Sequence, residues 1–470
     1  VLWNKFADLN AVPRPSKKEE RVIEFMKNFG KNLGLETFED DIRNVIIRKP
    51  ATPGMENRKA IVMQGHLDMV HQKNGDTIFD FDTQGIDMYV DDDWVRARGT
   101  TLGADNGLGV AAIMAVLESS DIPHPAIEAL FTIDEETGMT GALNLKGGIL
   151  QGQILLNLDT EEDDEIDIGC AGGIDVTATA EYDEEETPEA SVGYKITVKG
   201  LKGGHSGMDI HKGLGNANRI MNRLLFDGFD NFGLQISEIQ GGSLRNAIPR
   251  ESVATVVIAE VYDEAFVFDM QQIVNDIKTE LKTTEPNLEV VFEKLKTAPA
   301  KVMPSIAQFY FVRAMYAAHN GVYAMSADFA DLVETSNNIA KVVLGDGNLT
   351  VQCLTRSSVE TAKFDLANSL RSAFELMGCE VEFSGSYPGW TPNAESEILD
   401  VLVPIYEKQN GAKPSVVACH AGLECGILGT NYPEMDMISF GPTIHGAHSP
   451  DERASISSSC LLYTSPSPRD

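Results

Sequence analysis

Three short, largely apolar runs, residues 60–63, 128–133 and 154–158, each stop at groups able to bind a metal or move a proton. The first leads to His66 and Asp68, the second to Glu135 and Glu136, the third to Asp159. Runs of this length bounded by turn residues read as buried strands, while Val22, Phe25, Met26 and Phe29 recur at helical spacing. Alternating strands and helices predict an α/β fold, with a largely parallel mixed sheet, helices on both faces and functional groups at the strands' carboxyl ends. Few folds accommodate three such ends unless they meet at one edge.

Taken singly, each acid has an ordinary explanation. Asp105 lies in the glycine-rich stretch 99–109 before a helix expected over 108–118, and alone it reads as a helix cap. Glu135 and Glu136 read as a charged turn. The stretch 99–109 lacks the Lys-Ser/Thr of a phosphate loop and the dinucleotide glycine spacing, which excludes nucleotide binding. Together the acids are harder to explain, because carboxylates crowded on one edge repel one another unless a cation sits among them. A histidine among Asp and Glu is a mixed nitrogen and oxygen set that zinc, manganese or cobalt accepts. His66 and Asp68, two residues apart at a strand end, face the same side, so one can ligate while the other orients it.

Size and charge bound the rest. At 470 residues the chain exceeds the ~250–300 at which a single core stops growing, so two domains are expected. Lys+Arg of 38 against Asp+Glu of 71 gives a formal charge of -33, which repels phosphate backbones and anionic lipid and argues against nucleic acid and membrane partners. Six scattered cysteines form neither a disulfide framework nor a zinc ribbon, pointing to a reducing, cytoplasmic setting. No membrane-length apolar run or signal-peptide pattern is visible, and Val1 suggests that a few leading residues are missing.

Along the chain, Ser16 and Glu19 read as a capping box at a helix start. Residues 183–189 read as an acidic linker. A second pattern follows, with strands over 194–199, 234–239, 253–261, 288–292 and 350–356, short ones at 333–334 and 342–344, and helices over 214–226, 265–281 and 360–377. The expected plan is a catalytic domain from residues 1–190 and 391–459 with an inserted α+β domain over 191–390. Residues 460–470 lack helical period and match a translation of a sequencing-library adapter, so a non-native tail is expected there.

The motifs Gly65-His66-Leu67-Asp68, Gly103-Ala104-Asp105-Asn106-Gly107, Asp134-Glu135-Glu136-Thr137-Gly138, Asn157-Leu158-Asp159 and His448-Ser449-Pro450-Asp451-Glu452 resemble those of the co-catalytic zinc exopeptidases related to aminoacylase and glutamate carboxypeptidase. Within that family, residues 13–16, 203–210 and 420–426 are similar to the aminoacyl-histidine dipeptidases (Xaa-His dipeptidases, peptidase D, carnosinase-like). The resemblance implies two divalent metal ions, zinc first with manganese or cobalt as alternatives. Asp105 would bridge them, with His66 and Asp159 on one and Glu136 and His448 on the other. His445 competes with His448, which is preferred because Ser-Pro-Asp-Glu follows it. Asp68 would orient His66, Glu135 would be the general base, and the Asp105–Asn106 peptide would be cis. His205, by itself a glycine-flanked turn residue, would stabilise the oxyanion. Asn246, Arg356 and His420 would bind substrate, although Arg356 also reads as a loop arginine. The implied activity is hydrolysis of dipeptides with a free C-terminus, Xaa-His and β-alanyl-histidine among them, by a homodimer joined through the inserted lid domain. Alternatives are an N-acyl amino acid deacylase, a general dipeptidase, or an inactive metal-binding scaffold.

Overall fold

The computed structural model describes residues 1–393 and 395–464. The chain folds as two compact units, one built from Val1–Cys170, Trp390–Cys419 and the segment from Leu423 onward, the other from Ala171–Gly389 with His420–Gly422.

The first unit is organised on an eight-stranded sheet. Its spatial order is Glu36–Glu39, Val45–Lys49, Ile127–Thr132, Ile61–His66, Ile154–Asn157, Asp436–Ser439, Glu165–Cys170 and Ser415–Cys419. The four strands from Ile127–Thr132 to Asp436–Ser439 are parallel, as are the last two. The pairings of Glu36–Glu39 with Val45–Lys49, of Val45–Lys49 with Ile127–Thr132, and of Asp436–Ser439 with Glu165–Cys170 are antiparallel. In the parallel register His66 pairs with Thr132 and Gln64 with Asn157, so the chain segments following these strands leave at one edge. The helix Ala104–Glu118 is rich in Gly and Ala and buried on nearly all sides. Val110, Ile113 and Leu117 join the core that includes the sheet residues Val45, Met63 and Phe131, while Leu108, Ala111 and Ala112 pack with Phe6 and Ile444. A small antiparallel sheet of Met88–Asp91, Trp94–Ala97, Arg453–Ser455 and Ile444–His445 holds the loop that carries His448.

The second unit is a nine-stranded antiparallel sheet sharing one large core with the helices Ala217–Phe232, Asp263–Glu280, Ser305–Ala317 and Glu360–Glu375. Gly172–Glu181 is one of its inner strands, paired on both sides, although residues up to 190 were expected to continue the first domain. Its period-two pattern of buried Ile174, Val176 and Ala178 suits a sheet covered on one face. Residues 333–334 and 342–344, expected as separate short strands, belong to one strand, Val333–Gly345. Asn337 and Asn338 within it are fully buried, which hides it from an apolar-run reading.

One local expectation fails. The helix Glu20–Asn32 has no side-chain cap, because Lys17 turns the chain at φ 67° and Ser16 and Glu19 bond elsewhere. Ser16 Oγ donates to the Met69 carbonyl, and Glu19 Oε1 accepts from the amides of Lys17 and Asp134. At the other end, residues 460–464 lie inside the helix Ile456–Thr464, and Leu462 packs against both cores of the first unit. Leu462 supplies that apolar contact, while Leu461 is exposed; the rest of the expected non-native tail, residues 465–470, lies outside the described residues.

Candidate active site

Asp105 stands where the loop after Thr100 turns into its helix. Gly103, at φ 69°, leaves no space for a side chain: a Cβ there would fall 2.6 Å from Arg14 Nη2 and 2.8 Å from Met69 Sδ. Residues 105 and 106 have non-helical dihedrals and a cis peptide bond joins them, as the motif implied. Asp105 caps nothing. The amides of Leu102, Gly103, Ala104 and Asp105 are instead received by the carboxylate of Glu452, at 2.7, 3.0, 2.7 and 3.4 Å.

So freed, the two oxygens of Asp105 face different imidazoles. Oδ1 lies 3.1 Å from His66 Nε2 and Oδ2 lies 3.2 Å from His448 Nε2. Around His66 Nε2 stand Asp159 Oδ1 at 3.5 Å and Glu135 Oε2 at 3.9 Å. Beside His448 Nε2 stands Glu136 Oε2 at 2.9 Å. The donor atoms of His66, Asp105 and Asp159 lie within 4.8 Å of one another, as do those of Asp105, Glu136 and His448. Two overlapping donor sets thus share one carboxylate. His445 takes no part, lying against Trp94 and 3.8 Å from Glu162.

Asp68 ties these groups together. Its carboxylate is 3.4 Å from His66 Nδ1 and accepts the amides of Glu135 and Glu136 at 3.0 and 3.3 Å. Asp134 and His448 both occupy the left-handed region, at φ 51° and 63°, a conformation that non-glycine residues adopt chiefly where the surroundings dictate it.

The charges are mutually unfavourable without a cation. Burial pushes Glu135 well above the usual carboxylate range, and Asp159, Glu136 and Glu424 add to it against the pull of His66. Burial and Asp105 raise Glu136; burial likewise raises Asp159. Burial opposes ionisation of Asp105, but hydrogen bonds from His448 and His66 outweigh it and hold its carboxyl low. Contacts with Asp105 and Glu136 lift His448 to about 11. Glu136 Oε1 is buried with no hydrogen-bond partner. An orphaned carboxylate oxygen among acids, with histidines on both sides, is the donor chemistry of a site for two divalent metals of the zinc and manganese type.

In the second unit, His205, Asn246, Arg356 and His420 converge on the loop around Ser206. The amide of Ser206 donates to the Asn246 carbonyl at 2.8 Å, and Arg356 Nε donates to Ser206 Oγ at 3.3 Å. His205 Nδ1 accepts the amides of Gly207 and Met208, so the neutral ring carries its proton on Nε2. His420 Nε2 lies 2.8 Å from Ser336 Oγ, and burial, with Arg356, lowers it to about 3.

Several supporting residues had no assigned part in the sequence reading. Fully buried Arg14 donates to the carbonyls of Leu67, Asp68 and Gly103, joining the two loops that carry His66 and Asp105. Asn106 Nδ2 donates to Asp159 Oδ1 and to the Leu158 carbonyl. Glu161, raised by burial to about 8, adds another acid near Asp105 and Asp159. Arg14, Asn106 and Glu452 lie inside the quoted motifs, but nothing local in those motifs marks their supporting roles, because their partners are distant in sequence.

The profile of Peptidase family M20/M25/M40 matches residues 62–462. The chain belongs to this family. This M20 metallopeptidase is 44% identical over 461 residues to the cytosol non-specific dipeptidase of Escherichia coli (strain K12), spanning 97% of the chain and 94% of the relative. The crystal structure of aminoacylhistidine dipeptidase from Vibrio alginolyticus superposes with a TM-score of 0.90 at 44% identity, over 99% of this chain and 94% of that one. Aminopeptidase PepT from Bacillus cereus shares the fold, with a TM-score of 0.56 at 17% identity over 98% and 95% of the two chains. The catalytic sheet with an inserted second unit is therefore the M20 fold, and the near relatives are dipeptidases.

Proposed function

We propose that this M20 peptidase hydrolyses dipeptides with a free C-terminus, Xaa-His dipeptides among them, using two divalent ions, zinc in first place. The observation that carries the reading is the pair of Asp105 oxygens, each facing its own imidazole. His66 and Asp159 would hold one ion, Glu136 and His448 the other, with Asp105 shared. Bound there, the ions supply Lewis acidity, lowering the proton affinity of a water and polarising the scissile carbonyl.

The chain's own groups do the rest. Glu135, whose raised proton affinity suits a base that must also give its proton back, accepts a proton from the attacking water and returns it to the leaving nitrogen. Asp68 fixes the ring of His66 and, through two amides, the position of Glu135. His205 presents an Nε2 proton suited to an oxyanion, since both amides at Nδ1 lock its tautomer. Arg356, with Asn246 and neutral His420 beside it, offers a guanidinium for the substrate carboxylate.

The name of the Escherichia coli relative favours broad dipeptide specificity, and that of the Vibrio alginolyticus structure favours histidine in second place. The same relative's name and the six thiols support a cytoplasmic setting. No described helix is long and apolar enough to cross a membrane. A homodimer through the inserted unit is supported by Ile306, Phe309, Tyr310 and Tyr316, exposed along the helix Ser305–Ala317.

The test offers the zinc- or manganese-loaded protein β-alanyl-histidine, Gly-Leu and an N-acetyl amino acid, with Glu135→Ala as control. Cleavage of both dipeptides is expected. Turnover of the acetyl substrate alone would reassign the chain as a deacylase, and undiminished cleavage by Glu135→Ala would remove the mechanism.

A further inference from the structure

Beneath the strand ends that carry His66 and Asp159 runs a line of buried polar side chains that the reaction as described does not use. Gln64, Asn157, Ser439 and Glu424 have no exposed surface, and Asp167 and Thr160 retain only 5% and 7%. Gln64 Nε2 donates to Glu424 Oε2 at 2.6 Å, Asn157 Nδ2 to Gln64 Oε1 at 2.5 Å, and Ser439 Oγ to Asn157 Oδ1 at 2.5 Å. Ser439 Oγ and Thr160 Oγ1 are 2.8 Å apart, and Thr160 Oγ1 is 2.8 Å from Asp167 Oδ2. Apolar side chains would fill this part of the sheet without desolvating polar groups, so a polar line here is costly unless every link is made.

With the Asn157 and Gln64 amides oriented as the structure places them, counting hydrogens fixes the links. A hydroxyl has one hydrogen to donate. Ser439 gives its own to Asn157, so the hydrogen between Ser439 and Thr160 must come from Thr160. Thr160 then has none for Asp167, and the hydrogen between those two oxygens must come from the carboxyl.

We propose that Asp167 is a neutral carboxylic acid heading a one-way chain of hydrogen bonds, through Thr160, Ser439, Asn157 and Gln64 to Glu424, that positions His66 and Asp159. Gln64 lies two residues before His66, Asn157 two before Asp159, and Thr160 directly follows Asp159. Locking these three side chains sets the direction in which both donors leave the sheet. Glu424 also accepts from Thr132, the strand partner of His66, which closes the chain on the neighbouring strand. Burial independently pushes Asp167 up to about 7, opposed by Thr160 and helped by Glu165. The inference rests on the reading of His66 and Asp159 as ligands of one ion.

The experiment compares the parent with Ser439→Ala, Asp167→Leu and Asp167→Asn, whose amide can donate to Thr160 as the acid does. Zinc affinity is read by competition with a chromogenic chelator, folding by circular dichroism, and dipeptide turnover in parallel. Ser439→Ala and Asp167→Leu are expected to bind zinc about 10- to 100-fold more weakly, the usual effect of losing an outer partner, and Asp167→Asn to stay within about threefold of the parent. The infrared difference spectrum between parent and Asp167→Asn should contain the carbonyl stretch of a protonated carboxylic acid. Unchanged zinc affinity in Ser439→Ala, an Asp167→Asn as weak as Asp167→Leu, or absence of that band overturns the proposal. If Asp167→Leu does not fold, Ser439→Ala and Asp167→Asn decide it. A parent that neither binds zinc nor cleaves dipeptides defeats the ligand reading; a parent that does both, beside an unaffected Ser439→Ala, defeats only the chain.

Discussion

At the scale of single residues, Glu135 and Glu136 are neighbours in sequence with different surroundings. Glu136 points an oxygen at His448, whereas Glu135 stands off His66 at 3.9 Å, close enough for proton transfer through one water but long for a hydrogen bond. Glu135→Gln should therefore lower kcat by about 10²- to 10⁴-fold, the range for a general base, while bound metal measured by mass spectrometry stays unchanged. Loss of metal along with activity would make Glu135 a ligand. His420 makes a second residue-scale prediction. Burial depresses it from 6.5 to about 3, so its neutral form belongs to the folded state and its contribution is complete above pH 6.5. That contribution is lost as pH falls, by about 2 kcal/mol between pH 7 and pH 5. Urea titrations should show a shallower loss over this range in His420→Gln than in the parent.

At the scale of elements, the loop entering the helix Ala104–Glu118 depends on a carboxylate that joins from the far end of the chain. Glu452→Ala would strand three buried amides and a fourth that is partly buried, and a loss of about 3 kcal/mol or more is expected in urea unfolding, with Glu452→Gln falling between it and the parent. Such partnerships explain what could be read in advance. The strands leading to His66, Glu135 and Asp159 were legible because burial on both faces leaves an unbroken apolar run with an abrupt polar end. Asp105 was legible only through its glycine-rich setting. Arg14 and Glu424 were not, since their hydrogen bonds reach 89 and 360 residues along the chain, beyond any local pattern. Ser16 and Glu19 misled for the same reason: the capping signature was present, but distant partners outcompeted the helix for both side chains. Val333–Gly345 escaped because its buried asparagines pair with backbone groups of other segments, as Asn338 does with the Arg245 and Ala247 carbonyls.

At the scale of the whole molecule, the site crowds together several of the acids that give the chain its net charge of -33, so ions that neutralise it should also hold the fold. Stripping metal with a chelator is expected to lower the melting temperature, and returning zinc at a hundredfold its dissociation constant should restore about 2.7 kcal/mol. Added monovalent salt should recover part of the loss by screening. A chelated protein with an unchanged melting temperature would separate the ions from stability. The spread of the donors along the chain has a further consequence. His448 lies 343 residues beyond its partner Asp105, so no nascent polypeptide can assemble both donor sets until His448 itself has emerged from the ribosome. Peptide cleavage would then be withheld while the intervening segments are being made, a latency built into the order of the donors along the chain.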